Sequence, residues 1–203
     1  MPKESLREKL LDAGFQVMYG KGYLGTGIRE IAAEARAPLG SFTNHFRSKE
    51  DFAVEVLERF FEGTKQVVEE ALKDTSLPPC ARLRRYLDLI TSRLESRGFT
   101  CGCMIGDFSL EAAPHSEKLR TRLTEIFAEW RAPFAACIAE AQAAGEISSA
   151  FAPEDLAEFL LASWEGAILR MKVERTAAPL ERFKAIAFAT VFQSPAPSLQ
   201  PRT

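Results

Sequence analysis

Apolar residues recur every three or four positions along almost the whole chain, the spacing that lines one face of a helix. Leu6, Leu10, Ala13 and Val17 predict a first helix, and Gly20 and Gly22 in the run YGKGY predict its end. A second helix begins after Thr26 and carries Ile28, Ile31, Ala32 and Ala35. A third begins near Pro38 with Leu39, Phe42 and Phe46 inward, and a fourth near Ser48 with Phe52, Val56, Phe60 and Val67 on one stripe. Pro78 and Pro79 break the chain and open a fifth with Leu83, Leu87, Ile90 and Leu94, since proline suits a first helical turn. RGFTCGC is a break, followed by a short helix over 104–112 that Pro114 closes. A long helix is expected over 116–144, containing Leu123, Phe127, Trp130, Phe134 and Cys137 and kinked at Pro133. Helices over 153–175 and 179–192 complete an all-α fold with no strand and no repeat. The domain boundary is expected inside the fourth helix, giving an N-terminal domain 1–60, a larger domain 61–193 and a disordered tail 194–203.

Composition narrows the classes. With 46% hydrophobic residues in 203, the chain is long enough and apolar enough to bury a sizeable core. The formal charge of −2 gives no bulk attraction to nucleic acid, but a local basic face suffices where phosphates lie. No apolar run is long enough to span a membrane, and MPKESLREKLLDAG has acids and an amphipathic pattern, unlike a signal peptide. Four cysteines are too few for a disulfide scaffold, so a reducing, cytoplasmic setting is expected.

PLGSFTNHFRSKEDF, Pro38–Phe52, is the most unusual stretch. At 100° per residue, Leu39, Phe42 and Phe46 fall on one side of the third helix. Gly40, Ser41, Asn44 and His45 fall on the other, with Thr43 at the edge. That side is short, polar and uncharged, whereas an ordinary wet helix face carries long charged residues. Close approach together with donors and acceptors is what a DNA groove demands. The link Ala35–Ala37 has helix-turn-helix length. From Arg36 to Lys49 the cations are Arg36, Arg47 and Lys49, with no acid. The plain alternative is a surface helix of a helical bundle.

With these residues in view, GTGIREIAAEARAPLGSFTNHFRSKEDFAVEVL, Gly25–Leu57, resembles the DNA-binding domain of TetR-type transcriptional regulators. The IA pair, the G-S-F start, HF and SKE fall in that family's register. The resemblance implies an all-α homodimer whose fourth helix joins a DNA-reading head to a larger ligand-binding and dimerisation domain. The last two long helices would form a four-helix interface. The partners implied are a double-stranded operator and an unknown small-molecule effector, with no cofactor and no membrane. The expected DNA-contact set is Thr26, Gly27, Arg29, Arg36, Pro38, Leu39, Gly40, Ser41, Thr43, Asn44, His45 and Lys49. Thr26 is placed as the cap of the second helix, with the Gly27 and Ile28 amides toward a phosphate. Four positions depart from the family's pattern: Arg36 replaces the turn glycine, Ala37 a valine, Pro38 a helix-starting serine and Thr43 a phosphate-binding aromatic.

TCGCMIGDFSLEAA is the second unusual stretch. Cys101, Cys103 and His115 offer three metal ligands without an evident fourth, so no metal is expected. A Gly-Cys before a short helix resembles a regulator branch that includes sensors of reactive electrophiles. The bland reading of Cys103 is a small buried hydrophobe. Cys80 and Cys137 read as structural. Tyr86, Ile90, Cys103, Phe108, Trp130, Phe134, Trp164 and Ile168 are the expected ligand-pocket residues. Ala157, Leu161, Ala162, Gly166 and Leu169 form a small-residue face suited to close helix contact across a dimer axis. Together these features predict a ligand-responsive regulator, a repressor released from a palindromic operator, and not an enzyme. The competing classes are a thiol enzyme built on Cys101 and Cys103, and a helical adaptor that binds no DNA.

Overall fold

The structure, a computed structural model, describes residues 5–193. Among the described residues it is all-helical. The helices are α1 (Leu6–Lys21), α2 (Ile28–Glu34), α3 (Leu39–His45), α4 (Lys49–Leu72), α5 (Pro79–Glu95), α6 (Met104–Glu111), α7 (Glu117–Ala143), α8 (Pro153–Glu174) and α9 (Ala178–Thr190). Gly20 stays inside α1, and the chain turns at Gly22, whose φ is 78°. Pro133 sits inside α7, which is helical on both sides of it. The expected disordered tail, 194–203, lies outside the described residues.

Two compact units form, and neither is one run of sequence. The first takes the described residues up to Gln66 together with Phe99–Ala128; the second takes Val67–Gly98 and the described residues from Glu129 onward. These units divide the chain differently from the expected domains 1–60 and 61–193, because 99–128 groups with the first unit. Helix periodicity records which face is buried but not which distant segment covers it.

The first unit is built on three phenylalanines. Phe42, Phe46 and Phe52 pack in tilted and edge-to-face pairs with centroids 4.7–5.3 Å apart. A Cβ on Gly14 would overlap the Phe52 ring, so glycine is what allows α1 to close on α4. Leu10, Leu11, Met18 and Ile31 complete this core. Arg59 of α4 binds Glu8 and Asp12 of α1, and Arg7 binds Glu55. Leu6 and Val17, expected inward, are only partly covered.

In the second unit Tyr86 and Phe134 meet edge to face at 4.8 Å, and Trp164 packs on Phe183 at 5.6 Å. The Arg82 guanidinium is buried. It donates to the Leu72 carbonyl at 2.8 Å and pairs with Glu140, so α5 satisfies an acceptor at the end of α4. Lys184 is likewise buried between Asp88 and Glu181, at 2.6 and 2.7 Å.

Candidate nucleic-acid interface

The turn between α2 and α3 is a Schellman cap. The Ala37 amide donates to the Ala32 carbonyl at 2.9 Å, and the Arg36 amide donates to Ala33 at 3.0 Å. The motif requires a left-handed residue at position 36, and Arg36 adopts it with φ 51°. A non-glycine residue there costs about 1 kcal/mol. Pro38 then caps α3, and its fixed φ of −56° suits the entry.

The helix phase differs from the sequence reading in two places. Ser41 turns inward and is 9% exposed, while Leu39 turns out and is 46% exposed. Phe46 explains the shift. It is the C-cap in extended conformation, φ −132°, so its ring reaches the core by leaving the helix. Treating Phe46 as helical rotates the apparent inner face toward Leu39. The outer face is Leu39, Gly40, Thr43, Asn44 and His45, beside exposed Gly27, Arg29, Arg36, Pro38 and Arg47. The Thr43 hydroxyl donates to the Gly40 carbonyl at 3.0 Å. Arg29 and Arg36 form no ion pair among the described residues.

Two further expected contacts are drawn inside. Thr26 is 2% exposed and its hydroxyl donates to the Gly22 carbonyl at 2.7 Å, so the cap of α2 is Gly27 instead. Lys49 donates to the Tyr23 carbonyl at 2.6 Å and lies 4.4 Å over the Tyr23 ring. Burial holds the Lys49 ammonium below its ordinary pKa, with the nearby Glu111 carboxylate opposing that shift. Burial, followed by the charge of Glu50, raises the Tyr23 phenol. Sequence reading took Lys49 as a cation for phosphate; in the fold it ties α4 to the α1–α2 turn.

Glu111, Lys118 and Arg122, absent from the expected site residues, support this head from α6 and α7, together with Phe108, which was expected in the ligand pocket. Glu111 accepts from the Leu24 amide at 2.8 Å, and Phe108 meets Tyr23 edge to face at 5.7 Å. The Tyr19 hydroxyl donates to the Gly102 carbonyl at 3.0 Å. Lys118 and Arg122 pair with Asp51 and Glu58 of α4. No local signal marks these residues, because each partner lies far away in sequence.

The expected pocket residues divide between the units. Tyr86, Trp130, Phe134, Trp164 and Ile168 are buried in the second unit, and Ile90 is half-buried there. Cys103 and Phe108 belong to the first, where Phe108 supports the α1–α2 turn. Cys101, Cys103 and His115 do not assemble as ligands; among the described residues no group of three or more His, Cys, Asp or Glu is placed to hold a metal. Cys103 is 9% exposed at the start of α6, and Cys101 is half-buried. Burial, then Glu146, pushes the Cys80 thiol up to about 12; burial pushes Cys137 up to about 11 against the opposing charge of Arg82.

Two short helices joined by a tight turn, the second showing a small polar face flanked by arginines, define a helix-turn-helix DNA-binding protein. Comparison with known proteins agrees. Residues 10–56 match the family described as bacterial regulatory proteins, tetR family, and residues 79–187 match the tetracyclin repressor-like C-terminal domain. The HTH-type transcriptional repressor DhaR of Mycobacterium sp. (strain GP1) is 43% identical over 194 residues, 96% of each chain. The transcriptional regulator AcuR of Cereibacter sphaeroides is 36% identical over 90% of this chain and 84% of its own. The crystal structure of the reduced form of E. coli NemR superposes with a TM-score of 0.85 at 28% identity, covering 96% of this chain and all of that one. The chain belongs to the TetR family. It is a ligand-responsive, DNA-binding transcriptional regulator of a family whose members dimerise, and the thiol-enzyme and adaptor readings fall away.

Proposed function

We propose that this protein is a cytoplasmic repressor that sits as a homodimer on a near-palindromic operator and is released by a small molecule. The observation that carries the proposal is the outer face of α3, where Gly40, Thr43, Asn44 and His45 stand exposed, with Arg29, Arg36 and Arg47 also exposed in the same helix-turn-helix segment. Asn44 carries the paired donor and acceptor that read adenine in the major groove, and the arginines suit phosphates. Gly27, Pro38 and Leu39 lie on the same exposed surface. DhaR and NemR are both named as repressors, which supports the same sense of control here.

Dimerisation through α8 and α9 is supported by an exposed apolar stripe. Phe159, Ala162, Gly166, Leu169 and Val173 follow one another at helical spacing along α8, and Ala185, Ile186 and Ala189 are exposed on α9. Ala157 and Leu161, assigned to this face from sequence, belong to the core of their own unit. A dimer would set two heads about 34–36 Å apart, one helical turn of DNA, or a multiple of it. The effector would bind in the aromatic interior of the second unit, around Tyr86, Phe134 and Trp164. It acts by favouring a head spacing that no longer fits the operator; a hundredfold preference for that state supplies about 2.7 kcal/mol. Gel retardation with the promoter region beside the protein's own gene tests the first part, and sedimentation at micromolar concentration tests the second. A monomer there overturns the proposal. A thermal-shift screen of small metabolites then identifies the effector.

A second reading, control by electrophiles at Cys103, is favoured by one contact. The Gly102 carbonyl between Cys101 and Cys103 is held by Tyr19 of α1, so an adduct on either thiol strains a segment tied to the head. N-ethylmaleimide should release the operator and leave an adduct that mass spectrometry maps to this segment. If Cys103→Ser and Cys101→Ser variants both respond as the parent does, these cysteines are packing.

A further inference from the structure

The α1–α2 turn is gripped from two sides within the first unit. Lys49 of α4 holds the Tyr23 carbonyl. Glu111, the last residue of α6, accepts from the Leu24 amide, and its carboxylate occupies the space that a side chain on Gly22 would take. Gly22 has φ 78°, so the backbone conformation favours glycine, and the missing side chain leaves room for the Glu111 carboxylate. The Thr26 hydroxyl closes the turn back on the Gly22 carbonyl. The chain then enters α2 directly at Gly27, and Arg29 stands exposed in its first turn. Glu111 therefore fills a seat shaped for it, although 87 residues separate it from Leu24. A surface carboxylate near a DNA-binding head repels phosphate, so its presence here calls for a reason. Its hydrogen bond to the turn supplies one.

We infer that Glu111 is a positioning residue for DNA recognition: through Gly22 and Leu24 it sets the α1–α2 turn and thereby the reach of Arg29 to a phosphate. This rests on the reading that Arg29 faces DNA, and the experiment separates the two. Operator binding by the dimer is measured by fluorescence anisotropy across a salt series for Glu111→Ala, Glu111→Gln, Arg29→Ala and the Glu111→Ala/Arg29→Ala double variant. Glu111→Ala should weaken binding about tenfold and reduce the salt slope by about one, as for one lost phosphate contact. Glu111→Gln, which keeps an acceptor for the Leu24 amide, should restore both. Arg29→Ala by itself should weaken binding and lower the slope to the same extent, and should add nothing in the Glu111→Ala background. Amide exchange at Leu24 should quicken in Glu111→Ala and not in Glu111→Gln. A Glu111→Ala protein with reduced affinity but an unchanged salt slope, while Arg29→Ala lowers that slope, would mean that Glu111 only stabilises the fold, and the inference fails. Should Arg29→Ala leave the slope unchanged, the placement of Arg29 on DNA is what fails, and the inference falls with it.

Discussion

The two units end a helix in the same way and fill the decisive position differently. At the end of α2 in the first unit, Ala37 bonds back to Ala32 and Arg36 to Ala33; at the end of α7 in the second, Glu146 bonds back to Ala141 and Gly145 to Gln142. Both are Schellman caps with a left-handed residue, Arg36 at φ 51° and Gly145 at φ 72°. Gly145 adopts that conformation without steric cost, while Arg36 does so against one. The strained residue lies in the turn that leads into α3, beside the face proposed to read DNA, and a phosphate contact by its guanidinium would offset the cost of the turn. The same contrast runs through the exposed helices. The outer face of α3 is, Leu39 apart, short and polar, with exposed Arg36 and Arg47 before and after it in the chain, whereas the outer stripe of α8 is apolar. Both are open to solvent in a single chain, and their chemistry suits the first to the proposed DNA surface and the second to the proposed dimer surface.

The largest effect expected comes from spoiling the apolar face while leaving α3 intact. A Cβ at Gly166 meets nothing within 4 Å, so Gly166→Arg with Leu169→Asp leaves the monomer folded. Loss of the second head should lower operator affinity by roughly 10²–10⁴-fold. Sedimentation should show a monomer, and gel retardation the loss of affinity. A variant that stays dimeric would move the interface away from α8.

The polar face should break more locally. Asn44→Ala should cost about 1–3 kcal/mol on the best operator and relax the preference at one base pair. Ser41→Ala, buried, should change base preference less. Arg47→Ala should weaken all sequences alike and lower the salt slope by about one. Lys49→Ala should leave the slope and loosen the head, because its ammonium is already engaged by Tyr23. Competition binding on a set of operator variants distinguishes the four.

Exchanging the caps sharpens the comparison further. Arg36→Gly should raise the unfolding free energy by less than about 1 kcal/mol, since glycine removes the strain but its greater unfolded-state entropy offsets part of that gain. It should also lower the salt slope of operator binding by about one. Gly145→Arg should cost about 1 kcal/mol and leave that slope alone. Urea denaturation and anisotropy titrations read the two quantities separately.

The smallest effect concerns the thiols. Cys80 and Cys137 are raised to about 12 and about 11, so the folded state favours their neutral forms. As pH rises above the ordinary thiol value of 9.0, unfolded cysteines ionise first and stability declines through this window. Cys80→Ala should make that decline shallower. At neutral pH, maleimide should label Cys101 well before Cys80 or Cys137, as timed mass spectrometry will show.

Much of this was legible in the chain because it is local. The helix boundaries follow from Gly22, Pro38, Pro79, Pro114 and Pro153, and helical spacing placed Gly40, Asn44 and His45 on an outer face, with Thr43 at its edge, where all four are exposed. The errors came where a helix is too short or too evenly apolar for periodicity to fix its phase. In α3, with seven residues, Phe46 leaves the helix and the true inner pair becomes Ser41 and Phe42. In α8, apolar residues occupy two faces, so Ala157 and Leu161 were assigned outward while Phe159 and Val173 went unnoticed.

The sequence by itself determined the all-helical class, the helix-turn-helix and the polar character of its reading face, because these depend on spacing and turn chemistry within a few residues. Only the tertiary structure decided that 99–128 returns to the reading head, that Lys49 and Thr26 are spent inside it, and that Glu111 fills the space beside Gly22. Each of these joins segments whose separation along the chain carries no periodic signal, and burial and hydrogen-bond partners exist only once the distant surfaces have met.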